Sequence, residues 1–268
     1  MSKKIPMADQ ADRHALYEAS VQDPESELEF VAETFEEIIG RPLKSIREDF
    51  CGTANTSYEW VRDGESHTAV GVDLDREVLD WGRRNHFAEL KPSEQKRVRV
   101  IEGDVLKVQT DPVDAVLAMN FSYYLFTSRE DLRRYFQAAL GNLADDGILF
   151  LDAFGGYEAH QELEETTEYD DHTYTWDQYR FNPIDQQMTC KIHFDFPDGS
   201  RLEDAFVYHW RLWTLPEVRE LLLEAGFTKA TIYWEGTDEE TGEGDGIYTP
   251  SETGDADAGW ICYIVAEK

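Results

Sequence analysis

The chain has 268 residues, 41% of them hydrophobic and 13% aromatic, which suffices for one α/β domain with an insertion or for two small domains. Its 56 acidic and 25 basic residues leave a formal charge of −31, which repels phosphate backbones and argues against a nucleic-acid substrate. No apolar run is long enough to span a bilayer, and the polar segment Met1 to Asp12 lacks an apolar signal core, so the expectation is a soluble, cytoplasmic protein with no membrane partner.

The acidity reads first as a solvated surface, of the kind that suits a saline cytoplasm, and second as an attraction for a cationic substrate. The three cysteines, Cys51, Cys190 and Cys262, are far apart and form no CxxC or Cys/His cluster, so neither a disulfide framework nor zinc is expected. The seven histidines show no ligand spacing either, and no metal site is expected. The sequence carries no signal for an oligomeric state.

In chain order, residues 26–39 read as a helix. Leu28, Val31, Phe35 and Ile38 fall at helical spacing, Ser26 and Glu29 suggest a capping box, and Gly40 and Pro42 stop it. An extended segment, residues 43–50, runs into Cys51-Gly52-Thr53-Ala54, and a helix follows over 55–62. Residues 68–74 read as a strand, 75–85 as a helix that Asp75 caps, and 98–101 as a third strand. Residues 113–119 are nearly all apolar, as a strand buried on both faces requires. A helix over 128–140 and a strand over 147–154 complete this half. The alternation predicts a parallel, doubly wound sheet. After residue 154 the pattern changes. Residues 174–181, 188–196 and 205–212 read as an antiparallel meander, with a turn at Pro197-Asp198-Gly199. Thr214 and Glu217 open a helix that ends at Gly226. Residues 229–234 and 260–266 read as closing antiparallel strands, and the acidic, Gly-rich stretch 235–259 between them as a long mobile loop.

Four strand ends carry polar chemistry. After the first comes Glu48-Asp49-Phe50-Cys51-Gly52-Thr53-Ala54, a tight turn before a helix, where backbone N–H groups can approach a ligand and a carboxylate can accept from an ammonium. Asp73 ends the second strand, 25 residues after Glu48, placed for ribose hydroxyls. Asp104, in Glu102-Gly103-Asp104-Val105, follows the third and can accept from an exocyclic amine. Asn120, Tyr123 and Tyr124 follow the fourth, although packing serves any single aromatic there equally well. Cys51 reads as a small buried residue rather than a nucleophile. Together these groups would surround one adenosine-containing ligand.

These residues resemble the class I S-adenosylmethionine-dependent methyltransferases over roughly residues 26–154 and the closing strands. The family's first motif reads acid, any, Gly, any, Gly, any, Gly. Glu48 matches the acid and Cys51-Gly52-Thr53 the Cys-Gly-Thr core, while Phe50 and Ala54 replace the outer glycines. Arg47 to Thr53 and Trp234-Glu235-Gly236-Thr237 look like a bacterial subfamily of uncharacterised small-molecule methyltransferases. The resemblance implies a Rossmann-like α/β fold: a mostly parallel seven-stranded sheet with an antiparallel insertion after strand five. Residues 1–154 and 213–268 would form the cofactor domain, and 155–212 a substrate cover. S-adenosylmethionine would lie against Glu48, Asp49, Cys51, Gly52, Thr53, Asp73, Leu74, Asp104, Val105 and Asn120, with Asn120, Tyr123 and Tyr124 bordering a small-molecule acceptor.

The insertion is rich in Tyr169, Asp170, Asp171, Tyr174, Trp176, Tyr179 and Phe181, with His160 and His172 close by. Aromatic faces and carboxylates favour cations, so an amine acceptor follows if these residues face the site. They are ordinary strand residues if they do not. A nicotinamide-dependent oxidoreductase would need G-x-G-x-x-G after the first strand, which is absent. The alternative of another class is a non-catalytic S-adenosylmethionine-binding regulator whose acidic surface docks a basic protein.

Overall fold

The computed structural model describes residues 5–238, 241–242 and 244–268; the rest of the expected polar N-terminus (residues 1–4) and of the expected loop (239, 240 and 243) lies outside the described residues. Its elements are α1 (Arg13–Val21), α2 (Pro24–Ile39), β1 (Ser45–Asp49), α3 (Asn55–Asp63), β2 (Thr68–Asp73), α4 (Arg76–Asn85), α5 (Pro92–Gln95), β3 (Val98–Glu102), β4 (Val113–Ala118), α6 (Arg129–Asn142), β5 (Leu143–Gly155), β6 (Leu163–Glu168), β7 (Thr173–Asn182), β8 (Gln187–Asp195), β9 (Arg201–Arg211), α7 (Leu215–Ala225), β10 (Lys229–Thr237), β11 (Gly244–Ser251) and β12 (Trp260–Glu267).

The main sheet has the order β11-β10-β12-β5-β4-β1-β2-β3. Strands β3, β2, β1, β4 and β5 are parallel; β12, β10 and β11 join antiparallel. Helices cover both faces, so the central strands are apolar on both sides. In β4, Val116 and Ala118 enter one layer and Ala115 and Leu117 the other. In β5, Leu149, Leu151 and Ala153 oppose Ile148 and Phe150 in the same way. Strands β6 to β9 form a separate antiparallel sheet in that order, the predicted meander plus one strand.

Three expectations need correction. The sheet has eight strands rather than seven, because residues 244–251 of the expected loop pair with β10, Trp234 opposite Thr249. That edge strand is exposed and carries two glycines and Pro250, which hides its pattern. Strand β6, Leu-Glu-Glu-Thr-Thr-Glu, is likewise an exposed edge with no apolar alternation. Helix α2 starts at Pro24, not Ser26: the Asp23 carboxylate accepts from Ser26 N at 3.2 Å, and the proline suits the first helical position. No helix of the described residues is long and apolar enough to cross a membrane.

Helix α1 packs on the second sheet. Leu16, Tyr17 and Val21 lie against a small core of Ile192, Phe194 and Ala205. Its polar side reaches the main domain: Asp12 accepts from Trp81 Nε1 at 2.6 Å, and Glu18 accepts from Thr53 Oγ1 at 2.5 Å. The helix thus ties the insertion to the turn after β1.

That turn is also pinned from the other side by α4. A Cβ on Gly82 would stand 1.9 Å from the Thr53 carbonyl oxygen, which is backbone and cannot swing aside. Gly82→Ala is therefore expected to lower stability by about 1–3 kcal/mol, although alanine is the better helix former. A urea midpoint that falls with unchanged slope checks it; an unchanged midpoint would show that α4 and the turn are not locked together.

Candidate active site

The turn after β1 keeps its shape without its outer glycines. Phe50, Gly52 and Ala54 all take left-handed φ values of 59°, 53° and 61°. A non-glycine residue there costs about 1 kcal/mol or more, so packing has to impose it. Phe50 is held by Tyr135, at 5.2 Å between ring centroids, and by Phe126 at 6.1 Å. Ala54 is fully buried. Gly52 donates to Asp73 Oδ2 at 2.9 Å, and a Cβ on Gly52 would meet nothing within 4 Å. The loop therefore presents bare backbone to open space.

That space is a cavity of about 480 Å³ beyond the carboxyl ends of the parallel strands. The sequence-derived candidates Glu48, Asp49, Cys51, Gly52, Thr53, Asp73, Leu74, Asp104, Val105 and Asn120 all line it. Glu48 is buried, and its Oε2 accepts from Ser57 N at 2.9 Å and Ser57 Oγ at 2.5 Å. Burial raises it to about 7 against those two bonds. Asp73 accepts from Gly52 N and from Asp75 N at 2.8 Å, and burial raises it too. Asp104 pairs with Lys107 at 2.9 Å, which holds its carboxyl below the usual range. Leu74 is an exposed apolar residue, 70% accessible, on the cavity's rim. Burial pushes the Cys51 thiol well up, as befits a packing residue rather than a nucleophile.

Asp49 has its oxygens engaged elsewhere. Oδ1 accepts from Arg47 Nε at 2.7 Å and Oδ2 from Tyr135 Oη at 3.2 Å, in a fully buried pair. Arg47 also donates to Val108 O at 2.9 Å, so the pair ties β1 to the turn after β3.

Asn120 and Phe121 follow β4 with φ of 57° and 55°. The buried Asp152 on β5 accepts from both backbone N–H groups, at 2.7 and 2.8 Å, and burial raises it to about 7. Tyr123 and Tyr124 correct the expectation for this segment. Both are fully buried, lie in neither cavity, and donate their hydroxyls to Asp152 O at 2.9 Å and Phe154 O at 3.3 Å. The short helical turn that starts at Ser122 rotates them into the core.

A second cavity of about 670 Å³ adjoins the first, between the main sheet's edge and the insertion. Tyr17, Asn120, Tyr208 and Trp210 line both. Tyr17 and Tyr208 are hydrogen-bonded to one another, and burial raises Tyr17 to about 12, so it is a neutral phenol. Sequence reasoning missed Tyr17, Tyr208 and Trp210. Nothing local marks them; they reach the site because α1 and β9 close over the strand ends. Of the aromatic and acidic residues noted in the insertion, Tyr174 and Trp176 line the second cavity. Tyr169 instead stacks on His172 at 4.9 Å, Asp171 pairs with His172, Phe181 packs on His160, and Tyr179 lies under Lys191. Among the described residues no group of His, Cys, Asp and Glu side chains is arranged to hold a metal.

Residues 49–147 match a family model described as a methyltransferase domain. No curated protein matches the chain. Among solved structures, the chain is similar to an S-adenosylmethionine-dependent methyltransferase from Clostridium acetobutylicum, with TM-score 0.68 and 16% identity over 95% of this chain and 96% of that one. It is also similar to an amino pentose methyltransferase of calicheamicin biosynthesis from Micromonospora echinaspora (TM-score 0.65, 16% identity, 100% and 99% covered). A sugar N-methyltransferase from a Streptoalloteichus species gives 0.65 and 16%, with 96% and 93% covered.

The raised carboxyls have a sign that can be measured. A carboxyl whose folded pKa lies above its unfolded value binds more protons when folded. Its contribution is present below the unfolded pKa and is lost as pH rises through the folded one. Glu48 runs from 4.5 to about 7, Asp152 from 3.8 to about 7, and Glu27 from 4.5 to about 8, in each case chiefly by burial. The unfolding temperature of the ligand-free protein is expected to fall between pH 5 and 8, and Glu48→Gln to flatten part of that slope. Identical slopes for both proteins would show that Glu48 ionises freely.

Proposed function

We propose that this chain, a methyltransferase on the class I S-adenosylmethionine-dependent fold, methylates an amine on a small molecule held in the second cavity. The observation that carries the reading is the pair of cavities meeting at one wall, Tyr17, Asn120, Tyr208 and Trp210. A donor on one side and an acceptor on the other satisfy the in-line demand of a displacement. A second cavity of that size also favours a catalyst over a regulator that merely binds the cofactor.

The first cavity fits the cofactor by the chemistry of its donors. Glu48 offers a buried acceptor for an ammonium, Gly52 and Thr53 a bare loop, Asp73 an acceptor for ribose hydroxyls, and Asp104 one for an exocyclic amine, with Leu74 and Val105 as apolar flanks. Asp49 contributes by fixing Arg47 rather than by direct contact. Bound there, S-adenosylmethionine supplies a methyl group already activated on sulfur. The protein's own residues then align and exclude water. Tyr17 and Tyr208 are uncharged at the shared wall, and the strained Asn120–Phe121 turn is fixed by Asp152. An amine with a free lone pair needs no strong base; its extra proton leaves to solvent after transfer.

Two observations bear on the acceptor, the first on the charge it carries and the second on the atom methylated. The second cavity is lined by Glu158, Glu165 and Glu235 and by no Lys, Arg or His among the described residues. Two of the similar structures are described as an amino pentose methyltransferase and a sugar N-methyltransferase.

Calorimetric titration tests the donor half. Wild-type protein is expected to bind S-adenosylmethionine and S-adenosylhomocysteine, and Asp73→Ala to weaken both by about 10- to 100-fold. A folded wild type that binds neither would remove the reading; an Asp73→Ala protein that binds as tightly would move the ribose site elsewhere.

A further inference from the structure

None of the charge in the second cavity belongs to the shared wall. Glu158 comes from the turn after β5, Glu165 from β6 and Glu235 from β10; all three line the second cavity and none lines the first. None pairs with a basic side chain among the described residues. Glu235 is fixed in place, accepting from Gly246 N at 3.0 Å. Glu165 stands directly opposite Trp176 across the β6–β7 pair, and Trp260 adds a second indole to the lining. Carboxylates and indoles that line one cavity suit a cation, by Coulomb attraction and by the ring quadrupole.

The nucleophile cannot be that cation. An attacking atom needs a lone pair, so an amine at the shared wall reacts in its neutral form. A positive charge favoured by the three glutamates therefore belongs to another part of the molecule.

We propose that the acceptor carries a second, cationic group (a protonated amine or a quaternary ammonium) remote from the methylated atom, held by Glu158, Glu165 and Glu235 against Trp176 and Trp260. The assignment of the second cavity to the acceptor rests on the functional reading above. The cationic end fixes which way round the acceptor enters, leaving its uncharged nucleophile at Asn120, Tyr17 and Tyr208. It also makes the cavity select against neutral molecules of the same shape.

Choline and 3,3-dimethylbutan-1-ol have the same shape and differ in charge. Each is titrated into the protein saturated with S-adenosylhomocysteine, with tryptophan fluorescence as the readout. Choline is expected to bind at least about tenfold more tightly than the alcohol. The Glu165→Gln/Glu235→Gln double variant is expected to erase that preference, since glutamine keeps the acceptor for Gly246 N and removes the charge. Glu158→Gln provides a second, single-site variant with a smaller loss. Absence of saturable choline binding, equal affinity for the two probes, or a preference that survives in the variants overturns the proposal. S-adenosylhomocysteine affinity, measured on the same samples, is expected to be unchanged in the variants. Its absence in the wild type would instead count against the donor site, so the two failures are separable.

Discussion

Glu27, Glu48, Asp73 and Asp152 crowd the carboxyl edge of the main sheet without an ion pair to any basic side chain among the described residues. Burial is the main cause of their upward shifts, and mutual repulsion adds to it: Asp152 and Glu48 both push Glu27, and Asp73 pushes Glu48. What holds Glu48, Asp73 and Asp152 is mostly backbone N–H groups. Gly52 and Asp75 donate to Asp73, Ser57 to Glu48, and Asn120 and Phe121 to Asp152. The bonds to Asp73 and Asp152 also fix left-handed residues bordering the first cavity. The acids therefore do two jobs. They hold strained turns whose backbone faces the cavity, and on the proposed function they supply the acceptors that a cationic ligand would meet.

The other half of the site depends on a second scaffold. The insertion sheet has its own small core, and α1 covers it while reaching back through Asp12 to Trp81 and through Glu18 to Thr53 and His86. Tyr17 on α1 and Tyr208 on β9 meet above the strand ends for this reason. The wall shared by the two cavities is built from α1, the insertion and the strand ends together. The insertion would otherwise be a four-stranded sheet with one open face.

Legibility in the sequence followed the physics of each element. Buried parallel strands such as residues 113–118 and 147–154 announce themselves because both faces must be apolar. Glu48, Asp73 and Asp104 could be grouped from sequence because each lies at or just after the end of a parallel strand, and those strand ends open on one cavity. Exposed edge strands were not readable: β6 and β11 pair through backbone alone, and their side chains carry no period. Phe50 and Ala54 broke the expected glycine pattern, yet the backbone kept the conformation, since aromatic packing on Phe50 and burial of Ala54 replace glycine's freedom with enforced strain. Tyr123 and Tyr124 show the converse. Their position after β4 suggested a site, but a single helical turn rotates them inward, and one turn is too short to leave a periodic signal. Tyr17, Tyr208 and Trp210 enter the site only through tertiary closure, which no local pattern encodes.

The formal charge of −31 misdescribes the site for the same reason that it suits the surface. It counts every carboxyl as ionised, whereas Glu48 and Asp152 titrate near 7 and Glu27 near 8 in the ligand-free fold. Of the three, Glu48 lines the first cavity, which is therefore less negative at neutral pH than its composition. On the proposed function, protons and an ammonium compete for the Glu48 oxygens. A ligand that brings an ammonium to Glu48 must displace a proton, so its affinity should strengthen as pH rises over the range in which the empty fold weakens. Burial of Glu48 thus links the stability of the empty fold to the charge of the ligand proposed for its cavity.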